Sequence, residues 1–572
     1  MKNIFKVFHS LKKKNLKELL NDKNIVFVLI ASVCVFIIFI WLIFKFAFSN
    51  FEEKSPLDSV PVNAAIIFDV KQADLLWDEL SENSNLWHNL ANIDPFKKIN
   101  NDIIILDSVL KLNKNTSDIL NDHSILISLH QLPDKAMGAL FMTSLAKTCG
   151  KTEVEKNINK IAGLGVVKTE RKFLGSLIYE LQLNNKNENF SYTFSNDIFI
   201  CSFHASLIEE AVKQQKSGVS LAKNPDFVKI SGTAGKNVNA NIYLNFKYFP
   251  PLFSLLVNDK YSKIIGEMSD FANWTAFDLY VKNDALLLNG FTQLEDNKLN
   301  FLALFAEQEP HEIYLSKLIP TSTTSIICYS FSDFDLWYKS YLNYLDKNGK
   351  LSTRNSQIAK LNSKYKTDVE KNIIRLIGAE LALVLTEPSD SAKNVNMFAI
   401  IKTKNIDNAI KLLSSQSLLL EQKTITPSKK TKKIKQKKKK NIKSKKAKEK
   451  IKVQHRESSV LEVKEVKSEK IYEYKIPEIL PLLFGNLFNG VNGKYYAIIE
   501  DYVVFGNSIN SLKSFLKDYS DNKTLQNNND YNNFIKNISD ESNVYLYCNI
   551  KKSLAVFDDY ANKDIVSYIK NN

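Results

Sequence analysis

The chain reads as an α+β protein: two tandem copies of one mixed, mostly antiparallel sheet-plus-helix unit, following an N-terminal transmembrane helix. Three observations predict this. Residues 25–44 run for twenty positions without a charge. From about residue 58, strand-like and helix-like segments mix without strict βαβ alternation, the pattern of antiparallel α+β folds. Segments of the second half also repeat segments of the first at fixed offsets, and a repeat sets the whole fold assignment.

The first element is the apolar run, IVFVLIASVCVFIIFIWLIF. As a helix it spans about 30 Å, the thickness of a bilayer's hydrocarbon core. Trp41 and Lys45 suit the interface at its far end. Seven lysines precede the run (Lys2, Lys6, Lys12, Lys13, Lys14, Lys17, Lys23), whereas Lys45 and Lys54 follow it beside Glu52 and Glu53. The positive-inside rule then puts the N-terminus in the cytoplasm and residues 46 onward on the far side of the membrane. A cleaved signal peptide is the rival, with Ala47-Phe48-Ser49 as a small-x-small site. Twenty apolar residues exceed the usual 7–15 of such a signal, so retention is favoured. The expected organisation is a basic tail at 1–23, the span at 24–45 and a linker at 46–57.

Two copies are expected next, at 58–310 and 311–572. At one offset of 304 residues, Asn196-Asp197-Ile198-Phe199-Ile200 matches Glu500-Asp501-Tyr502-Val503-Val504. At the same offset, Leu221-x-x-Asn224-x-Asp226-Phe227 matches Leu525-x-x-Asn528-x-Asp530-Tyr531. So does Ile242-Tyr243-Leu244-Asn245 with Leu546-Tyr547-Cys548-Asn549. At other offsets Val60-Pro61, Ile66-Ile67 and Leu76-Trp77 parallel Ile319-Pro320, Ile326-Ile327 and Leu336-Trp337, and Ile178-Tyr179-Glu180 parallels Ile471-Tyr472-Glu473. Each copy is expected to run strand, Leu-Trp helix, further strands, second helix, hairpin, third helix (206–215; 510–519) and final strand. The runs at 125–127 and 381–385 read as buried strands. The first copy continues past Asn245; the second stops soon after its counterpart.

A disordered lysine-rich insertion, 422–468, interrupts the second copy between a helix at 406–421 and the strand at Ile471. It explains the charge. The chain carries +15 overall, residues 423–452 alone carry +15 and the first 23 residues +5, which leaves the folded bulk at −5. The basic character therefore belongs to two short segments and not to a binding face. Like charges at that density stay extended, and a long surface insertion costs little because closure entropy grows slowly with length. Within the tract, Lys437, Lys438, Lys439, Lys440, Lys443, Lys445 and Lys446 are the candidate contacts for a polyanion, such as an anionic envelope polymer or lipid headgroups. Nucleic acid is disfavoured: four arginines stand against 73 lysines, and the tract has no interleaved aromatics for base stacking.

The Val60-Pro61 start with Leu76-Trp77, and the segment from Leu221 to Asn245, resemble those of a family of single-pass, membrane-anchored extracytoplasmic proteins of Bacteroidetes-type Gram-negative bacteria. That family carries a domain of unknown function. The resemblance covers nearly the whole body. It implies an anchor in a bacterial inner membrane, with the bulk of the chain periplasmic, and a duplicated α+β body, and it transfers no functional residues.

No chemical motif stands out. Five cysteines in 572 residues exclude a disulfide framework, and 16 glycines with 13 prolines exclude a collagen-like chain. Residues 231–237, Ser-Gly-Thr-Ala-Gly-Lys-Asn, lack the first glycine and the hydroxyl of a phosphate loop, and read as a turn. The seven histidines (His9, His88, His123, His130, His204, His311, His455) form no zinc pattern. His123 and His130 are expected at exposed strand ends. Cys201, Cys328 and Cys548 are expected as small buried strand residues, with disulfide pairing left open. The repeat-matched acids Glu180/Glu473, Asp197/Asp501 and Asp226/Asp530 are expected in turns and caps, not in catalysis. The expectation is a non-enzymatic envelope protein without cofactor or metal. It touches the bilayer through 25–44 and binds or scaffolds an unidentified envelope component. The alternatives are an envelope hydrolase with a dispersed site at the inter-copy cleft, and a cytoplasm-facing binder of polyanions or nucleic acid through the lysine-rich loop.

Overall fold

A computed structural model describes residues 55–93, 96–110, 124–145, 151–162, 167–182, 189–282, 285–294, 300–388, 395–414, 416–423, 469–553, 561–563 and 565–567. The apolar run 25–44 and the tract 424–468, with all seven candidate lysines, lie outside them. Among the described residues no helix is long and apolar enough to cross a membrane.

The architecture is mixed α+β around two large antiparallel sheets. The first contains β1 (Ile66–Val70), β2 (Ile125–Gln131), β3 (Met137–Ser144), β4 (Val167–Phe173), β5 (Ser176–Gln182), β6 (Asn189–Ser195), β7 (Ile198–Ser202), β8 (Ala240–Asn245), β9 (Trp274–Lys282) and β10 (Ala285–Gln293). Its order is β10-β9-β8-β1-β2-β3-β7-β6-β5-β4. A two-residue strand, β11 (His311–Glu312), pairs with β19 (Glu541–Ser542). The second large sheet contains β12 (Thr323–Ser330), β13 (Ile377–Thr386), β14 (Asn396–Thr403), β15 (Ser417–Lys423), β16 (Glu469–Tyr474), β17 (Tyr495–Ile499), β18 (Tyr502–Gly506) and β20 (Val544–Cys548). Its order is β15-β16-β17-β18-β14-β13-β12-β20.

Read from β8 and from β20, the two orders run through strands of the same rank. The pairing registers agree along a central row, while the second sheet carries register shifts that the first, among the described residues, lacks. One row across the first sheet is Ile242–Phe68–Ile127–Phe141–Cys201. One row across the second is Leu546–Ile327–Leu383–Ala399–Phe505. Ile242 and Leu546 stand 304 residues apart, as do Cys201 and Phe505 at the other end of the row. Two-residue turns close both hairpins, Asn196-Asp197 between Ser195 and Ile198, and Glu500-Asp501 between Ile499 and Tyr502. Tyr179 faces Tyr192 with rings stacked at 5.0 Å, and Tyr472 faces Tyr496 with rings stacked at 5.1 Å.

The rows correct one sequence alignment. Ile67, not Ile66, occupies the place of Ile326, because Ile67 pairs with Tyr243 and Ile326 with Tyr547. On a strand a one-residue slip exchanges the two faces, so Ile-Ile pairs alone cannot fix the register. The Leu-Trp helices differ in the same way: Leu76 is the buried member in Ala73–Asn83, Trp337 in Phe334–Lys347.

Helices cover both faces of each sheet. On one face of the first, the helix Ala205–Ser217 buries Leu207, Ile208, Ala211 and Val212 on a 3.6-residue stripe. The helix Ile509–Ser520 packs the same way through Leu512, Phe515 and Leu516. The opposite face of the second sheet holds an aromatic core around Phe331, Phe334, Trp337, Tyr338 and Tyr341. The turn Phe301–Phe305, which precedes the strands of the second large sheet in the chain, joins that core. Phe246, directly after β8, lies 5.8 Å from Phe271; Phe271 stacks on Phe301 at 5.6 Å; Phe301 reaches Tyr329 at 5.7 Å and Phe305 reaches Trp337 at 5.8 Å. Asn562 adds backbone contact by donating to the Leu256 carbonyl at 3.1 Å.

The helix expected at 406–421 ends at Ser414, and Ser417–Lys423 forms the edge strand β15. Pairing with β16, from Ser417 opposite Tyr474 to Lys423 opposite Glu469, supplies the backbone partners that a longer helix would have needed. The tract thus leaves and re-enters at the tip of a hairpin. In the first sheet the hairpin of the same rank, β4–β5, turns with only Leu174-Gly175. Replacing 424–468 by Asn-Gly should hold or raise the melting temperature, because closing a shorter loop favours folding by up to about 3 kcal/mol. A fall of several degrees in calorimetry would show that the tract packs on the body.

Candidate functional site

A row of polar side chains that includes an acid and a base crosses the second sheet, whose other buried polar residues are small serines and threonines. Glu380 on β13 faces Lys402 on β14, and Lys402 faces Tyr502 on β18. A register shift between Ile377 and Glu380 marks the spot, and such irregularities re-aim side chains. Glu380 is 2% exposed. The Lys402 ammonium lies 3.3 Å from its Oε1, the Tyr502 hydroxyl donates at 3.3 Å, and the Tyr314 backbone N–H donates at 3.4 Å.

Burial pushes the Glu380 carboxyl above the usual carboxylate range, against the pull of Lys402. The Tyr502 phenol is raised strongly, by burial first and by the Glu380 charge second. Tyr502 is therefore a neutral donor and Glu380 an acceptor. Nearby, burial also pushes the Cys328 thiol up, with Glu380 adding to it.

A cleft of about 180 Å³ opens beside this row, lined by Tyr314, Lys317, Leu318, Lys402, Glu500, Asp501, Tyr502 and Tyr519. Lys402 sits over the Tyr314 ring at 4.6 Å and the Tyr502 ring at 5.6 Å, and Lys317 lies over Tyr314 at 4.5 Å. Tyr314 donates to Glu312 at 2.7 Å, which raises its phenol pKa, and Tyr519 donates to Glu500 at 2.8 Å. Glu500 holds φ at 52°, a left-handed turn position that lifts its side chain beside the opening.

The corresponding place in the first sheet holds a hydrogen-bonded glutamine. There Gln215 holds the position of Tyr519: its amide donates to Ser59 Oγ at 2.6 Å, and its carbonyl accepts from Ser195 at 2.5 Å and Asn196 at 3.3 Å. By the same strand registers, Ser124, Ser144 and Ile198 stand where Glu380, Lys402 and Tyr502 stand. The sequence reading missed this site. Its signal is a lone acid in the strand IGAELALVLT and a lone base in NMFAIIKT.

Of the residues singled out in the sequence, Asp501 lines the cleft and the others fall elsewhere. Glu180 pairs with Arg171 at 2.7 Å, and Glu473 lies 3.5 Å from Lys494. Asp197 and Asp501 occupy the two hairpin turns. Asp226 and Asp530 sit in the first turns of short helices whose caps are Asn224 and Asn528. Gly235, within 231–237, donates its N–H to Asp278 at 2.8 Å, so a carboxylate already fills the spot a phosphate would need. His130 is not at an exposed strand end: it lies within β2, 1% exposed. Its Nε2 meets Ser128 at 2.9 Å and its Nδ1 meets Asn63 at 3.2 Å, partners that make burial tolerable. His123 lies outside the described residues.

Cys201 and Cys328 are buried, but Cys548 is exposed because β20 is an edge strand; all three are free thiols on β7, β12 and β20. Among the described residues no cluster of His, Cys, Asp and Glu has a metal-binding arrangement. No family model matches the chain, and no curated protein or solved structure matches it.

Proposed function

We propose a single-pass envelope protein, anchored by residues 25–44 with its body outside the inner membrane. The body consists of two sister α+β units and binds or scaffolds another envelope component through the second unit. The shared strand order and the shared 304-residue spacing support the duplication. The observation that carries the binding role is the divergence between the sisters. Where the first ties Gln215 to Ser59, the second opens the cleft over Lys402 and Tyr502. About 180 Å³ is small beside the roughly 300–1,000 Å³ of a small-molecule pocket. It suits a side chain or an end group of a larger partner. The acids matched between the sisters serve turns and ion pairs, which favours binding over turnover.

The test has two arms. Protease added to intact spheroplasts should remove the body, and survival of the body until lysis would overturn its placement. A photo-crosslinking residue at Lys317, on the cleft, should capture one envelope component that the same probe at Lys216, on the first unit, does not. Equal capture at both positions would remove the assignment of the cleft.

A further inference from the structure

The two edges of the first sheet differ sharply. At one edge β4 reads Val-Lys-Thr-Glu-Arg-Lys-Phe, with Lys168, Glu170, Arg171 and Lys172 in seven residues. At the other, β10 reads Ala-Leu-Leu-Leu-Asn-Gly-Phe-Thr-Gln, nine residues without a charge. Leu288 is 48% exposed and Phe291 62% exposed. Three positions apart on a strand, they project from opposite faces. An edge strand offers a row of unpaired backbone N–H and C=O groups, and charge on such a strand is what blocks another chain from pairing with it.

Charge also identifies the occupant. An antiparallel pairing of β4 with itself, centred on Glu170, sets Glu170 against Glu170 and Lys168 against Lys172, and directly opposed like charges destabilise a pair. The same operation on β10, centred on Asn289, sets Leu288 against Gly290 and Leu287 against Phe291. No charge meets a charge. Gly290 is held close to β9, where a Cβ would meet the Ala276 carbonyl, so it presents no side chain to the incoming leucine; Leu287 meets Phe291 as an apolar pair on the other face.

We propose that β10 is a self-association edge, taking the β10 strand of a second copy to join two ten-stranded sheets into one. Nine paired residues run about 30 Å, an interface at the low end of those that hold two proteins together. The association is therefore weak and concentration-dependent. The proposal stands on the strand edges alone and needs neither the anchor nor the cleft.

Disulfide trapping tests it on the full chain, in whichever cell fraction holds the protein. In a Cys548→Ser background, Asn289→Cys should give a disulfide-linked species of twice the chain mass on mild oxidation, at least tenfold above Glu170→Cys. Adding Leu288→Lys and Phe291→Lys should abolish that species while leaving the melting temperature unchanged, since both side chains are exposed. Absence of the dimer overturns the proposal, as does equal trapping at position 170 or persistence in the double-lysine variant. Trapping of a different mass at position 289 also overturns it, because the edge then belongs to another protein.

Discussion

Replacing Lys402 with methionine should destabilise the protein by about 3–5 kcal/mol at neutral pH, read as a shift of the urea midpoint. Methionine fills the space along β14 but leaves the Glu380 carboxylate buried without its cation. The charge then has only the Tyr502 hydroxyl and the Tyr314 N–H to rely on. Adding Glu380→Gln should restore most of the loss, because the penalty belongs to the orphaned charge and not to the missing ion pair. Acid should narrow the deficit. The folded carboxyl already titrates above its unfolded range and would titrate higher still without Lys402. The folded state then binds the extra proton, so stability falls as pH rises through that window and is regained as pH drops. A deficit under about 1 kcal/mol, or one that the double variant does not relieve, would mean that water reaches Glu380 freely.

The second large effect is acid loss of stability through His130. Burial lowers its pKa from 6.5 to about 4. Between those values the unfolded chain binds a proton that the folded chain refuses, so stability falls as pH drops from 6.5 and the loss is complete near pH 4. At about 1.4 kcal/mol per unit this amounts to about 3 kcal/mol. His130→Gln should keep partners for Ser128 and Asn63 while removing the titration. Denaturation midpoints from pH 7 to pH 4 should then lose that part of their slope. An unchanged slope would locate the acid sensitivity in other groups.

Much of the fold was legible in the sequence, for a physical reason. Strands that build a sheet from both faces need near-continuous apolar runs, and those at 125–127 and 381–385 fall in β2 and β13. Turn chemistry was equally readable: Asn-Asp and Glu-Asp sit at the two-residue hairpins where polar residues reach left-handed angles. Less legible was anything set by partners distant in the chain. His130 looks like a strand terminus until Asn63 is brought against it from 67 residues away. The β15 segment reads as helix until β16, beyond the lysine tract, pairs with it. The cleft was invisible because its members come from five separate stretches between Tyr314 and Tyr519, and no spacing rule joins them.

The chain of rings from Phe246 through Phe271 and Phe301 to Trp337 has a mechanical corollary. Interlocked rings tolerate little sliding, so the strands on either side of this contact lack the slack that a clamshell would require. A group entering the cleft beside Lys402 would therefore meet a preformed surface and not one lobe folding over the other.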